Sequence, residues 1–518
     1  MRMTLVLLAG GLMTMALAQD RDLPQPPGPP QPVESEALVG AYYFPGWSHA
    51  DRWHCIKAMD DVLHPLLGYY REGDTAVADW HIKWALEHGV DFFAFDYYSH
   101  QGSEMLEEAL RAMLESESID QFRFCLNWCN HQPPETQDAE ELRRFGDVVI
   151  DAYLTHPSYL RIDGRPVLMI LSGYSFVRTL GVNGARAAFD ELEARCREAG
   201  LPGLYLVSCE GHISGVEDIE RGIEAGIDAF CLYNYPYAGS PVTGPGGEYL
   251  EMSYEHLIEQ GRGLWEHWAD HTGGRFWPTV MPGWDRRPWT KDQDLRRVGS
   301  TPELFEQSLV WAQEAMNDDQ VVMIEAWNEW GEGSVLEPSI EWGFDYLEAV
   351  RRAFCETGDW PEGVAPAPEE RPDVDLPRTD RWSFNYDPEG WQPIRLEGFR
   401  QSWGALEAVS TGPDPQLSGP KSYLPCDQYS VVEIRMRAEA PEEGTPEAGR
   451  GEVFWATTMG GLSGERAMSF DVPLDGQWHV HAIPVGEHPL WSGTLEHLRL
   501  DPVDVAEVRF QVDYIALR

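Results

Sequence analysis

Two glutamates lie three positions apart in a short segment rich in Trp and Gly. The segment reads Trp327-Asn328-Glu329-Trp330-Gly331-Glu332-Gly333. Carboxyl groups at this spacing on a tight turn can face the same side, and burial together with mutual repulsion would raise the pKa of one of them. Glu329 and Glu332 are therefore candidates for an acid–base pair. The alternative is that they merely favour the N-terminus of a helix predicted from about residue 340 to 354.

Polar and aromatic residues also follow the other predicted strands, whereas the strands themselves consist almost wholly of apolar residues. A polyol needs hydrogen bonds around its rim and flat apolar surfaces for its C–H faces. Together with a carboxyl pair, such a lining indicates cleavage of a glycosidic bond. For any single Tyr or Trp, packing at the end of a strand is the alternative. The candidate substrate-binding residues are Tyr43, Trp47, Asp96, Tyr97, Asn127, Trp128, Glu210, Tyr235, Trp284, Asn328, Trp330 and Glu337.

The elements that position these residues are eight short apolar runs that alternate with amphipathic helical stripes. This pattern is typical of strands covered on both faces by helices, and eight such units predict an α/β fold, a (β/α)8 barrel. A doubly wound open sheet is the alternative. In both architectures the functional residues follow the strands. The predicted strands are 38–44, 90–96, 121–127, 166–171, 204–209, 227–233, 276–281 and 321–327.

The last part of the chain has a different pattern. Val432, Ile434 and Met436 alternate with charged residues, which predicts strands with one wet face and an all-β sandwich or jelly roll. Stretches rich in Pro and polar residues suggest where the units are separated. The predicted organisation is a signal peptide at 1–18, a Pro-rich tether at 19–35, the barrel at 36–356, a linker at 357–379 and the sandwich at 380–518.

The charge of the chain excludes some partners. Asp and Glu outnumber Lys and Arg by 86 to 39, and the net charge is −47, so nucleic acid and anionic lipid surfaces are disfavoured. Arg2, the apolar run that follows and Ala16-Leu17-Ala18 predict a cleavable signal peptide, hence a secreted or periplasmic protein. No later apolar run reaches the length of a membrane span, and no membrane insertion is expected.

Other catalytic machineries leave no motif in this sequence. The chain has no Gly-X-Ser-X-Gly elbow, no His-Glu-X-X-His helix and no Gly-rich phosphate loop with Lys. Its eight cysteines form no Cys-X-X-Cys pair, so a zinc site is not expected, although disulfides remain possible in an exported protein. We expect neither a cofactor nor a catalytic metal.

The block from Ile324 to Gly333, with Leu336-Glu337-Pro338 after it, resembles the signature of the glycoside hydrolase family 99-like proteins. The opening 41–47 and the segment 89–98 are similar too, and the resemblance spans roughly residues 37–355. It implies a (β/α)8 barrel and retaining hydrolysis, with Glu332 as general acid and base and Glu329 assisting attack by the sugar's own 2-hydroxyl. Gly331 stands where the α-mannan enzymes of that family tend to carry His.

The sequence thus predicts a secreted glycoside hydrolase that acts on an extracellular polysaccharide, with an α-mannan-like glycan as the candidate substrate. Relatives of the family include glycosyltransferase-like proteins of polysaccharide assembly, so a glycosyltransferase is one alternative. A non-catalytic glycan-binding surface protein is another. The C-terminal segment resembles, more weakly, the β-sandwich modules of secreted carbohydrate enzymes. The sugar, its linkage and the oligomeric state stay open, since subsite shape depends on long loops near 237–250 and 283–300.

Overall fold

The computed structural model describes most of the chain. The predicted signal peptide and parts of both long loops lie outside the described residues. The described residues are 24, 26–48, 50–57, 59–100, 103–130, 138–211, 216–239, 250–290, 295–373, 380–384, 388–402, 404–412, 414–440 and 447–518.

Within these residues, eight parallel strands close into a barrel. Each strand pairs with the next, and the last returns to the first with Leu38 opposite Val321. The seventh strand runs in two pieces because Pro278 between them has no N–H to donate. The predicted (β/α)8 fold is confirmed. The strands are β1 (Leu38–Tyr43), β2 (Phe92–His100), β3 (Arg123–Trp128), β4 (Arg165–Leu171), β5 (Tyr205–Glu210), β6 (Ala229–Leu232), β7 (Phe276–Trp277 and Thr279–Val280) and β8 (Val321–Ile324).

Helices surround the barrel or lie in its loops, and several begin at residues suited to that position. Thr301 accepts a hydrogen bond from the backbone N–H of Leu304, and Pro302 occupies the first helical position. The helices are α1 (His54–Lys57), α2 (Thr75–Glu87), α3 (Glu108–Glu115), α4 (Ala139–Val149), α5 (Gly173–Glu198), α6 (Val216–Ala225), α7 (Tyr254–Thr272), α8 (Arg287–Thr290), α9 (Pro302–Glu314) and α10 (Asp345–Phe354).

Short strands lie in the loops, mostly at the end of the barrel where its strands finish. Two of them form the hairpin that holds the glutamate pair, in which Asn328 pairs with Val335 and Glu329 with Ser334. We call residues 328–335 the glutamate hairpin. The short strands are Ser103–Met105, Arg161–Ile162, Leu250–Ser253, Trp284–Asp285, Leu295–Val298, Asn328–Glu329 and Ser334–Val335.

The C-terminal part consists of two antiparallel sheets around a separate apolar core that includes Trp382, Trp391 and Trp455. One sheet has the order β11-β12-β19-β14-β17 with β9 on β19, and the other has the order β10-β13-β18-β15-β16. The predicted all-β architecture is confirmed. The strands are β9 (Arg381–Trp382), β10 (Gln392–Ile394), β11 (Leu396–Ser402), β12 (Ala405–Ser410), β13 (Gln416–Pro425), β14 (Val432–Glu439), β15 (Ala448–Thr457), β16 (Ala467–Pro473), β17 (His479–Ile483), β18 (Thr494–Asp501) and β19 (Arg509–Leu517).

The described parts of the predicted tether and linker pack against the barrel. The backbone N–H of Gln31 donates to Glu87 of α2, and the indole of Trp84 donates to the carbonyl of Val364. All eight cysteines are free thiols, so no disulfide supports the fold. In the described part of the chain, none of the helices combines the length and apolarity that crossing a bilayer requires.

Candidate active site

The amide side chain of Asn328 helps to fix the glutamate hairpin to the end of the barrel. Asn328 accepts a hydrogen bond from the backbone N–H of Phe44 at 2.9 Å and donates to the carbonyl of the same residue at 3.0 Å. The backbone N–H of Trp327 also donates to the carbonyl of Tyr42, at 2.7 Å. These bonds hold the turn that carries Glu329 and Glu332 over the end of β1.

Four acidic side chains meet at this end of the barrel, and we call them the carboxyl cluster: Asp96, Glu325, Glu329 and Glu332. Asp96 lies in the middle of β2 and faces the barrel interior, Glu325 directly follows β8, and the glutamate pair lies in the hairpin. All four are buried, with Glu329 4% and Glu332 9% exposed. Since charges so close together in a dry site repel one another, not all of them can be ionised at neutral pH.

The pKa values of the cluster rise accordingly. Burial raises the pKa of Glu329 well above its usual range, and the carboxyl groups of Glu332, Asp96 and Glu325 raise it further. Burial and Glu332 raise the pKa of Glu325, although the hydroxyl of Ser334 donates to it at 2.8 Å and lowers it in part. The cluster therefore retains protons at a pH where isolated carboxyl groups would have lost them.

A tyrosine joins two members of the cluster. The hydroxyl of Tyr233 lies 2.6 Å from Oδ2 of Asp96 and 3.4 Å from Oε1 of Glu329, so its one proton is shared between the two carboxyl groups. Asn127 donates to the other oxygen of Asp96 at 2.8 Å. Burial raises the pKa of Asp96 to about 7, because these hydrogen bonds offset only part of the loss of solvent. Asp96 thus titrates near neutrality.

Glu332 differs from Glu329 in having a cation beside it. Nε of Arg286 lies 3.3 Å from Oε1 of Glu332, and the guanidinium also lies over the ring of Trp284. A neighbouring positive charge favours the ionised form of a carboxyl group. The ion pair with Arg286 therefore favours the ionised form of Glu332, whereas burial and the neighbouring carboxyl groups favour the protonated form of Glu329.

Beneath the hairpin lies a second buried layer, formed by Glu72, His81, Asn328 and Glu337. Glu72 accepts hydrogen bonds from Asn328 at 2.8 Å and from the backbone N–H of Trp47 at 2.7 Å. Glu337 accepts from the hydroxyl of Tyr70 at 2.7 Å and lies 3.2 Å from His81. The layer fixes the underside of the hairpin.

Four of the predicted substrate-binding residues belong to this layer or pack on it: Trp47, Asn328, Trp330 and Glu337. The indole of Trp47 donates to the carbonyl of Asn328 at 2.9 Å, and that of Trp330 donates to Glu337 at 3.1 Å. Each of the four is at most 2% exposed. Because protein groups already occupy their polar atoms, we revise their role from contact with a sugar to positioning of the hairpin.

The structure corrects four further predictions: those for Tyr43, Tyr97 and Trp128 through strand alternation, and that for Tyr235, which lies beyond the end of β6. Successive side chains of a strand point to opposite faces, so the neighbours of inward-facing residues face the surrounding helices. Asp96 faces inward, whereas Tyr97 packs on Phe145 of α4. Trp128 likewise packs outward on α4 and α5. Tyr43 bonds His81 of α2, and Tyr235 packs against Gly261 of α7.

The other predicted residues lie in three places. Asp96 belongs to the carboxyl cluster with Glu329 and Glu332, and Asn127 donates a hydrogen bond to it. Glu210 ends β5 and accepts a hydrogen bond from the backbone N–H of Tyr174 at 2.8 Å, so it caps the start of α5. Trp284 lies beside the hairpin and lines a neighbouring cleft.

Several residues of the site are absent from the predicted set. Glu325 is a charged residue at the end of an apolar strand, and that position could have indicated it. Tyr233 directly follows β6 and Tyr98 lies in β2, and both are near Asp96 and Glu329, as the rise in their pKa values reflects. Glu72 comes from an irregular loop, where no sequence signal marks it. Among the described residues, no group of three or more His, Cys, Asp or Glu side chains is arranged to hold a metal ion.

Comparison with known proteins supplies the family. The model of the family described as Glycosyltransferase WbsX matches residues 62–350, which is more than half of the chain. The chain belongs to this family. The matched region contains most of the barrel, including the carboxyl cluster. A curated relative, "Uncharacterized protein WxcX" of Xanthomonas campestris pv. campestris, is 25% identical over 319 residues, which are 57% of this chain and 43% of the relative. The chain thus spans less than half the length of the curated relatives it matches.

Solved structures are similar in fold. A "Glycoside hydrolase-like protein" superposes with a TM-score of 0.50 at 20% identity, over 64% of this chain and 97% of its own. The GH99 endo-alpha-mannosidase from Bacteroides thetaiotaomicron gives a TM-score of 0.45 at 15% identity, over 61% of this chain and 95% of its own. The first likeness confirms the barrel fold. The family match agrees with the glycosyltransferase-like relatives expected from the sequence.

Proposed function

We propose that this protein is a glycoside hydrolase that uses Glu329 and Glu332 to cleave a polysaccharide. The observation that carries the proposal is the carboxyl cluster, in which two glutamates of one hairpin lie in a dry site beside a group that titrates near pH 7. Hydrolysis of a glycosidic bond needs one carboxyl group that donates a proton to the leaving oxygen and another that is ionised. The cluster offers both forms at neutral pH.

The roles within the pair follow from the resemblance and can be tested separately. Resemblance to the family 99-like enzymes gives Glu332 as acid and base, with Glu329 activating the sugar's 2-hydroxyl. In the site without substrate, the ion pair with Arg286 opposes the role of Glu332 as an acid, because it favours the ionised form of that carboxyl group. On this proposal, the proton moves from the Glu329 and Asp96 side to Glu332 when a sugar occupies the site and covers the cluster.

The first experiment is a reducing-end assay over a polysaccharide panel that includes α-mannan and sulfated glycans. We expect Glu329→Gln and Glu332→Gln each to lower kcat by about 10²–10⁴-fold, because both remove general acid–base catalysis without changing side-chain volume. Glu314→Gln, at an exposed position on α9, is the matched control. Full activity in either hairpin variant would refute its assignment.

A substrate with a good leaving group distinguishes the two roles. A dinitrophenyl glycoside needs no proton on its leaving oxygen, so the variant that lacks the acid should lose less activity on it than on the polysaccharide. We expect Glu332→Gln to lose less activity on the dinitrophenyl glycoside than on the polysaccharide. Glu329→Gln should lose a similar fraction of its activity on both substrates. The reverse pattern would exchange the two roles and leave the hydrolase proposal standing.

A glycosyltransferase is the second candidate, and the description of the matched family favours it. A nucleoside-diphosphate donor carries negative charge, which four neighbouring carboxyl groups disfavour. Calorimetric titration with nucleotide sugars tests this candidate directly. Binding of a nucleotide sugar, with no reducing ends released from any glycan, would favour the transferase over the hydrolase. Glycan binding without either reaction would favour a non-catalytic glycan-binding protein.

We further propose that the protein acts outside the cytoplasm. The support is the apolar run after Arg2, which ends in Ala16-Leu17-Ala18. Nucleotide-activated sugars are cytosolic, so export would count against a transferase. Cell fractionation and N-terminal sequencing of the mature protein test this, with Gln19 expected as the first residue. A retained Met1 in the cytoplasmic fraction would contradict it.

A further inference from the structure

A cleft separate from the carboxyl cluster opens beside the glutamate hairpin, and none of the four cluster residues lines it. Its volume is about 440 Å³, within the range of about 300–1,000 Å³ that is typical of small-molecule sites. We call it the side cleft. Its walls come from the hairpin at Gly333 and Val335, from the strands Trp284–Asp285 and Leu295–Val298, and from the chain around α10.

The lining of the side cleft combines aromatic rings with planar polar groups. Trp284, Trp342 and Tyr346 contribute rings, and the ring of Trp342 meets that of Tyr346 edge to face. Asp285 and Arg296 contribute a charged pair whose Nε and Oδ2 lie 3.1 Å apart. Aromatic rings can stack on the C–H faces of a sugar, and the planar carboxylate and guanidinium groups can hydrogen-bond its hydroxyls. This combination suits a sugar unit.

One buried donor at this cleft has no hydrogen-bond partner among the described residues. Trp284 is 2% exposed, yet its indole N–H makes no hydrogen bond with any described residue. Buried polar groups are paired in the great majority of cases, and a tryptophan N–H left over beside a cleft indicates a ligand or a water that accepts from it. This observation is independent of the shape of the cleft.

The side cleft is also linked to the proposed acid. The backbone N–H of Asp285 donates to the carbonyl of Glu332 at 2.6 Å. The ring of Trp284 lies beneath the guanidinium of Arg286, which in turn pairs with the carboxyl group of Glu332. An occupant of the side cleft would therefore touch the same wall that holds Glu332 in place.

We propose that the side cleft binds a further sugar unit of the same glycan chain, one removed from the bond that is cleaved. This inference rests on the proposed function for its substrate class, and it adds that the protein recognises an oligosaccharide segment rather than a single sugar. The lining has four acidic residues and two arginines, and this excess of negative charge favours a neutral glycan over a polyanionic one: Asp60, Asp61, Asp285 and Glu341 against Arg296 and Arg297.

The test uses fragments of α-mannan, β-glucan and xylan, each from disaccharide to hexasaccharide. The variants are Trp342→Phe and Trp342→Ala, which shorten the stacking surface in steps, and Trp284→Phe, which removes the unpartnered N–H. Trp311→Ala, on the outer face of α9, is the matched control for loss of a partly buried tryptophan. Thermal unfolding of each variant establishes that it folds.

For the wild type we expect kcat/KM to rise with fragment length. Trp342→Ala should reduce the preference for hexasaccharide over disaccharide by about tenfold, mainly through KM, with Trp342→Phe in between. Trp284→Phe should reduce the same preference. Trp311→Ala should leave it as in the wild type.

Binding of the same fragments, measured by titration of intrinsic fluorescence, separates the failure of this inference from failure of the proposed function. If no fragment is hydrolysed but Trp342→Ala weakens hexasaccharide binding, the side cleft stands and the hydrolase proposal falls. If hydrolysis proceeds with a length preference that the side-cleft variants do not change, the side cleft proposal falls alone. It also falls if the wild type binds no fragment of any of the three glycans.

Discussion

Replacing Asp96 by Asn should stabilise the protein, and by an amount that depends on pH. Asp96 is 2% exposed, and its carboxyl group accepts hydrogen bonds from Asn127 and Tyr233. An asparagine has the same shape and can keep both contacts, since its amide oxygen accepts from Asn127 and its NH₂ donates to the tyrosine oxygen. The substitution therefore removes a buried charge while leaving the packing in place.

The magnitude follows from the pKa of Asp96, which burial raises from the usual 3.8 to about 7. Between these two pH values the folded protein keeps the proton that the unfolded chain has lost, so stability falls as the pH rises. Each pKa unit corresponds to about 1.4 kcal/mol, and the three units amount to about 4 kcal/mol. The penalty is absent below pH 3.8 and complete above pH 7.

The assay is thermal unfolding of wild type and Asp96→Asn at a series of pH values from about 4 to 8. We expect equal midpoints near pH 4 and a variant that is more stable by about 4 kcal/mol at pH 8, a shift of several degrees. Asp190→Asn, at an exposed position on α5, is the control. A difference that is the same at both ends of the pH range, or absent throughout, would refute the idea of a dry carboxyl cluster.

Two further substitutions test how the hairpin is held. Gly331→Ala should destabilise the protein by about 1–3 kcal/mol, because an added Cβ would lie 2.0 Å from Cε2 of Trp289. In a double-mutant cycle, Trp289→Ala should relieve this destabilisation. Additive effects of the two changes would contradict the contact. Asn328→Ala should cost about 2–5 kcal/mol in urea unfolding, since it removes both bonds to the backbone of Phe44 and the bond to Glu72. A loss below about 1 kcal/mol would mean that the hairpin is held by other contacts.

The sequence alone determined the barrel and the position of the glutamate pair. All eight predicted strands overlap the observed strands, because each is a nearly continuous apolar run between helical stripes and this local pattern needs no knowledge of the partner strand. The hairpin that carries Glu329 and Glu332 was likewise visible in local composition, as two acids among Trp and Gly. Asp96 and Asn127 were predicted for the site because both lie at the end of a strand.

The tertiary structure decided which residues face the site and in what state. Tyr97 and Trp128 were predicted beside Asp96 and Asn127, but alternation turned them toward α4, since adjacent side chains of a strand take opposite faces and the sequence does not say which face is inside. Closure of the barrel brought Tyr233, which follows β6, to the carboxyl groups of Asp96 in β2 and Glu329 after β8. The raised pKa values exist because residues distant in sequence exclude water from the cluster, and that exclusion belongs to the packed fold rather than to any local segment.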